Sequence, residues 1–155
     1  VDAGVAEANF SLEIIGRVKR IYMLEADECW IEAIKLTFAE YMDKIVIINK
    51  FLSDEISENT ITLDAAVDER IDFIKMDIEG YETKALQGAA RVLGNKDIRI
   101  AVCAYHRDED EYLITSYLGK IGFECVPASG YMWYPYGEAY SDKLRRGVLR
   151  CVRIH

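Results

Sequence analysis

Short apolar runs alternate with amphipathic helical stretches along all 155 residues, and this alternation constrains the fold more than any other feature. Strand-like runs read at 1–4, 21–25, 45–48, 71–76, 98–105, 123–126 and 147–154. Between them, Trp30, Ile34, Phe38 and Tyr41 share one helical face. So do Leu86, Ala89, Ala90 and Leu93 in a helix over 81–93, and Ile114, Tyr117, Leu118 and Ile121 in one over 112–121. A further helix reads over 10–18, and Thr62 is placed to cap a short one over 63–67. Gly94 and Gly122 are placed to close helices, Gly94 in the left-handed conformation. Ile45-Val46-Ile47-Ile48 is continuous and β-branched, the pattern of a strand buried on both faces. This order predicts a single α/β domain over 1–155, a Rossmann-like, doubly wound, mainly parallel seven-stranded sheet. No helix separates the last two strands, which favours antiparallel pairing for the final one.

Ligands in such sheets bind where the strands end. The run Ile74-Lys75-Met76-Asp77-Ile78-Glu79-Gly80 puts Asp77 and Glu79 at that edge, between a strand and a helix. Helix-start acids that cap and complement the dipole are the plainer reading of both. The first turn, 2–11, offers Gly4, where the backbone can bend sharply toward a ligand. Glu25 closes the second strand about 20 residues later, and a carboxylate so placed accepts ribose hydroxyls. That pairing suits both nicotinamide and S-adenosylmethionine sites. Glu7 at the helix start disfavours a pyrophosphate, and Asp2 on the first strand suits an ammonium or sulfonium ligand. A nicotinamide oxidoreductase is the least favoured reading, because the three-glycine fingerprint is absent.

A net charge of −8, from 19 basic and 27 acidic residues, disfavours sequence-independent nucleic-acid binding. The basic residues near the end (Lys143, Arg145, Arg146, Arg150, Arg153) read as the solvated face of a strand. No apolar run is long enough to span a bilayer, and no secretory leader opens the chain. The chain starts at Val1, inside a strand, so residues are expected to precede it. Cys29, Cys103, Cys125 and Cys151 form no close pair and read as reduced, structural thiols of a cytoplasmic protein.

Together these motifs resemble the FkbM-like family of S-adenosylmethionine-dependent methyltransferases, in which one antiparallel strand is inserted at the end of the sheet. The matching segments are Val-Asp-Ala-Gly with Phe-Ser-Leu at 1–12, Leu-Glu-Ala at 24–26, Leu-Ser-Asp at 52–54 and Thr-Leu-Asp at 62–64. The densest match is 71–82, followed by Leu86-Gln87-Gly88-Ala89, and the similarity covers about 1–125. The resemblance implies a class I methyltransferase-like fold and O-methylation of a small hydroxylated molecule, a sugar or natural-product alcohol. It implies that Asp2 and Gly4 line the methionine and ribose end, that Glu25 with Ala26 holds the ribose, and that Ser53 and Asp54 approach the adenine. Asp77 would face the amino-acid end or the acceptor. The family usually carries Asn and a second Gly where Ala6 and Ala8 stand. The alternative is therefore a catalytically degenerate domain that serves as a binding or interaction module.

Methyl transfer to an alcohol gains most from positioning, together with a base for the hydroxyl proton. Asp77, Glu79 and His106 are the candidates, His106 as a neutral imidazole near pH 7. Glu82 reads as a solvated helix acid. A metal bridging Asp77, Glu79 and His106 is chemically conceivable, but hard cations usually need more carboxylates, so no resident metal is expected. The stretch 127–141, with Tyr131, Trp133, Tyr134, Tyr136 and Tyr140, admits three readings: a platform over the acceptor, a hairpin packed on the domain, or a contact in a homo-oligomer.

Overall fold

The computed structural model describes residues 1–135 and 144–154. Seven strands form its main sheet: β1 (Asp2–Ala3), β2 (Ile21–Leu24), β3 (Ile45–Ile48), β4 (Phe73–Met76), β5 (Arg99–Cys103), β6 (Phe123–Pro127) and β7 (Val148–Arg153). They lie in the order β3-β2-β1-β4-β5-β7-β6. All pairings are parallel except those of β7, which runs antiparallel to both β5 and β6. The expected reversal of the last strand is therefore present, as an insertion between its neighbours. Successive strands leave β1 on one side as far as β3, and the chain then crosses to β4 on the other side. This switch point opens a crevice beyond β1 and β4, where doubly wound sheets hold ligands.

The sheet is a core with two faces. All four residues of β2 are buried, Ile21 and Met23 in one apolar cluster, Tyr22 and Leu24 in the other. Strand alternation accounts for that split. On one side α2 (Glu28–Thr37) adds Ile34, and Phe38 behind it is fully buried. The stripe stops there, because Tyr41 is exposed in a kinked 3₁₀ stretch. Asp27 caps α2 by accepting from the Cys29 N–H at 2.8 Å. On the other side lie α3 (Leu63–Ala66), α4 (Glu82–Gln87), α5 (Ala90–Leu93) and α6 (Asp110–Lys120). Thr62 caps α3 as the sequence predicts, accepting from Ala65 N at 3.2 Å.

Several boundaries differ from the sequence reading. The first helix, α1 (Asn9–Ile14), gives way to a 3₁₀ turn over Ile15–Arg17. The helix predicted over 81–93 is broken at Gly88 and Ala89. Gly88 lies so close to the Ser53 carbonyl that a Cβ would approach it to 2.3 Å, and its own carbonyl accepts from Asp64 N at 3.1 Å. The second piece, α5, is capped from a distance, with the Asp64 carboxylate accepting from Arg91 N and Val92 N at 2.7 and 2.9 Å. Gly94 is right-handed (φ −67°), not left-handed, whereas Gly122, which closes its helix as expected, has a positive φ of 87°. β3 is an edge strand, with Ile45 buried and Val46, Ile47 and Ile48 half-buried.

The expectation of four free thiols is also corrected. The β6–β7 register sets Cys125 opposite Cys151, and the two form a disulfide. Their separation of 26 residues hides this pairing from a reading of spacings. Cys29 and Cys103 are free. Among the described residues no helix is long and apolar enough to cross a membrane.

Candidate active site

A cavity of about 530 Å³ opens at the crevice, lined by Gly4 and Ala6 after β1, by Glu25, Ala26 and Asp27 after β2, by Ser53, and by Asp77, Ile78 and Glu79 after β4. Trp30, Phe51 and Tyr81 offer aromatic surface to the same space. Gly4 is the backbone hinge, with φ +74° and its N–H donating to the Leu24 carbonyl at 3.0 Å. A Cβ there would stand 1.7 Å from the Asp77 carbonyl oxygen, so two strand ends meet at a point that only glycine permits.

Ala6 and Ala8 both adopt left-handed conformations, with φ of 44° and 60°. Alanine occupies that region at a cost of about 1–2 kcal/mol, so this turn would suit glycine or asparagine better. Glu25 holds the strained turn. One carboxylate oxygen accepts from Val5 N and Ala6 N at 3.1 and 2.9 Å, the other from Ala26 N and Asp27 N at 2.8 and 3.0 Å. Both loops that frame the cavity are thus tied to one side chain.

Asp2 does not line the cavity. It is fully buried beneath it, accepting from Ser11 Oγ at 2.7 Å and paired with Lys75 at 3.2 Å. Burial raises its carboxyl above the usual range, and Lys75 opposes that shift. Lys75 also donates to the Gly4 carbonyl, which ties β4 to the first turn. Ser53 lines the cavity, and its hydroxyl donates to Asp54 at 3.0 Å; Asp54 itself is exposed and is not among the lining residues.

The acids after β4 join a tighter group. Asp77 accepts from the Tyr105 hydroxyl at 2.9 and 3.1 Å, and His106 Nε2 lies 3.3 Å from its Oδ1. Burial alone would raise the Asp77 carboxyl, but His106 and Tyr105 outweigh it and hold the group below its usual range. Glu79 is left-handed (φ 58°), which turns its carboxylate back to 3.6 Å from His106 Nε2 and 3.2 Å from the Tyr134 hydroxyl. The other imidazole nitrogen, Nδ1, lies 3.1 Å from Glu82 Oε1. Burial works against the His106 charge, yet Asp77 and Glu82 raise its pKa to about 9. Its carboxylate neighbours thus favour the charged form, where the sequence reading expects a neutral base.

Glu82 is likewise not a solvated helix acid. It is fully buried, stands beside His106 and accepts from Ile78 N at 2.9 Å. An acid at the first position of a helix that reaches back to a preceding N–H was legible as a local cap; its partner, 24 residues on, was not. Arg145 secures that partner loop, donating to the Tyr105 and His106 carbonyls at 2.7 and 2.8 Å and to Asp108 at 2.5 Å. Within the aromatic stretch, Tyr134 packs edge-on to His106 with ring centroids 5.5 Å apart, and Tyr131 and Trp133 are exposed. Met132–Trp133 pairs with Leu144–Arg145 as a hairpin; Tyr136 and Tyr140 lie outside the described residues.

Among the described lining residues are four acids, Glu25, Asp27, Asp77 and Glu79, and one base, Lys50. An acidic cavity with a glycine cradle and aromatic faces fits a cationic adenosyl sulfonium and repels a pyrophosphate. The comparisons with known proteins agree. The FkbM methyltransferase from Methylobacillus flagellatus KT superposes with a TM-score of 0.77 at 23% identity, over 97% of this chain and 42% of that one. An rRNA methylase from Streptococcus thermophilus gives 0.67 at 14% identity, over 99% and 85%. A Streptococcus mutans protein solved in complex with SAH gives 0.66 at 11% identity, over 99% and 86%. The chain thus spans about two fifths of the Methylobacillus protein. No curated protein sequence matches it. At these identities the structural likeness establishes the fold, that of the class I methyltransferases. The sequence supplies the rest: residues 23–125 match the model of the methyltransferase FkbM domain, and the chain belongs to that family, whose cofactor is S-adenosylmethionine.

Proposed function

We propose that the chain is an S-adenosylmethionine-dependent O-methyltransferase domain acting on a small hydroxylated acceptor, a sugar or natural-product alcohol. The observation that carries this reading is the placement of Asp77 and Glu79 on the wall of an acidic cavity at the switch point, which the Gly4 turn and Glu25 also line. When bound, the cofactor supplies a methyl group on a sulfonium that an acceptor oxygen displaces in line.

The chain's own residues do the positioning. Gly4, Ala6, Glu25 and Ala26 would hold the nucleoside side, and Ser53 the region nearer the base. Asp77 and Glu79 would orient the acceptor hydroxyl and take its proton. His106 Nε2 stands 3.3 and 3.6 Å from the two carboxylates, and the Tyr105 hydroxyl fixes Asp77 in one orientation. Asp54 keeps a supporting place through Ser53, and Asp2 acts from beneath by anchoring Ser11 and Lys75. The acidic lining and net charge of −8 favour a small acceptor over RNA. Ala6 and Ala8 do not close the cavity, so the observation behind a purely degenerate domain is weakened.

Calorimetry with S-adenosylmethionine and SAH tests the reading, followed by methyl-transfer assays on polyols, sugars and RNA. Micromolar binding with turnover on a hydroxylated small molecule is expected. Turnover on RNA alone, or preference for a nicotinamide dinucleotide, overturns the proposal. Binding without turnover on any acceptor returns the degenerate module.

A further inference from the structure

We propose that Asp77, Glu79 and His106 form a divalent-cation site on the acceptor side of the cavity, with Glu82 holding the imidazole in place. Sequence reading expects no metal because it finds too few carboxylates, and the structure adds Glu82 to the group. Three carboxylates surround one imidazole whose side chain is 4% exposed, so the group carries surplus negative charge in a poorly solvated place. Glu82, 1% exposed, stands 3.1 Å from Nδ1. That leaves Nε2 as the nitrogen directed at Asp77 and Glu79, the arrangement in which a carboxylate orients a metal-binding histidine.

The distances point the same way. Nε2 stands 3.3 Å from Asp77 Oδ1 and 3.6 Å from Glu79 Oε2, and it makes a hydrogen bond to neither. Charge-assisted N–H···O bonds are shorter, about 2.7–2.9 Å. Two ligand atoms each about 2.1 Å from one ion, at tetrahedral or octahedral angles, lie about 3.0–3.5 Å apart. The buried nitrogen thus has no well-aligned hydrogen bond, and Asp77, Glu82 and His106 each bring a ligand atom to within 4.8 Å of the others. Glu79 is 79% exposed, and its Oε2 also accepts from the Tyr134 hydroxyl at 3.2 Å.

One nitrogen with two carboxylate oxygens suits a cation of intermediate hardness such as Mn²⁺ or Zn²⁺ better than Ca²⁺. Binding would exchange the Nε2 proton for the ion and release it to solvent. Asp77 and Glu79 also line the cavity, so an ion they hold would border it, and a hydroxyl oxygen of the acceptor would take one of its open positions. That last assignment rests on the methyl-transfer reading; the ion site itself does not.

The test is titration of the metal-stripped chain with Mn²⁺, followed by the loss of the free-ion EPR signal and by paramagnetic broadening of the His106 ring resonances. One Mn²⁺ per chain and selective broadening at His106 are expected, with affinity at least tenfold lower in His106→Gln. Glu79→Gln, at an exposed position that leaves the fold intact, should weaken binding several-fold. No saturable binding at millimolar Mn²⁺, or binding that leaves His106 sharp and is indifferent to both substitutions, overturns the site. SAH is titrated into the same stripped sample. SAH binding without Mn²⁺ binding removes only the ion site, whereas Mn²⁺ binding without SAH binding removes only the methyl-donor reading.

Discussion

Two carboxylate centres frame the cavity, and they are built differently. At Glu25 both oxygens are matched by backbone donors, from Val5, Ala6, Ala26 and Asp27. At Asp77, Glu79 and Glu82 the acids accept from the Tyr105 hydroxyl, the Tyr134 hydroxyl and Ile78 N, but Glu82 Oε2 is left without a donor and an imidazole sits among them without an aligned hydrogen bond of its own. The first centre is complete as it stands and fixes the shape of two loops. The second holds unspent acceptor capacity in a buried place. Hydrogen-bond balance therefore separates a structural centre from a reactive one, although both lie at strand ends and both are acidic.

Substitutions can break or sharpen this contrast. The largest effect is expected at Gly4, where the two centres touch. Gly4→Ala puts a Cβ against the Asp77 carbonyl at a positive φ. A loss of about 4 kcal/mol or more in chemical denaturation should accompany abolished SAH binding. A stable variant that still binds would show that the strand ends can part. Next is Glu25→Ala, which orphans four N–H groups around a half-buried site. About 2–3 kcal/mol of stability and at least tenfold in SAH affinity should be lost. Unchanged values of both would remove Glu25 from the site.

Glu82→Gln keeps an acceptor for Ile78 N but removes a charge beside His106. It should cost only about 1–2 kcal/mol, while lowering turnover far more than SAH affinity. Equal losses of turnover and affinity would make Glu82 part of the nucleoside side instead. The smallest effect, and a favourable one, is expected at Ala6. Ala6→Gly relieves the left-handed strain and should raise stability by about 1 kcal/mol, seen as a higher Tm. In Ala8→Gly the same relief is offset by loss of a methyl that is 2% exposed, so little change is expected.

Sequence reading reached the first centre more fully than the second. The strand-helix alternation carries the sheet, because burial on two faces leaves a run such as Ile21-Tyr22-Met23-Leu24 no polar side. Gly4, Glu25, Asp77 and Glu79 were legible because each closes or follows a strand. Glu82 was not, since its burial depends on His106 arriving from the loop after β5, which Arg145 holds from the hairpin's second strand. The break at Gly88 and the Cys125–Cys151 pairing are hidden for the same reason: the Ser53 carbonyl and the β6–β7 register belong to tertiary structure.

The central claim is that the switch-point cavity holds the adenosyl methyl donor with its reactive end toward Asp77 and Glu79. A crystal structure of the chain soaked with SAH tests it most directly. The account predicts the ribose beside Glu25 and Ala26, and the sulfur on the side of Asp77 and Glu79. SAH bound with its sulfur away from those acids, or absent from the cavity at saturating concentration, would contradict it.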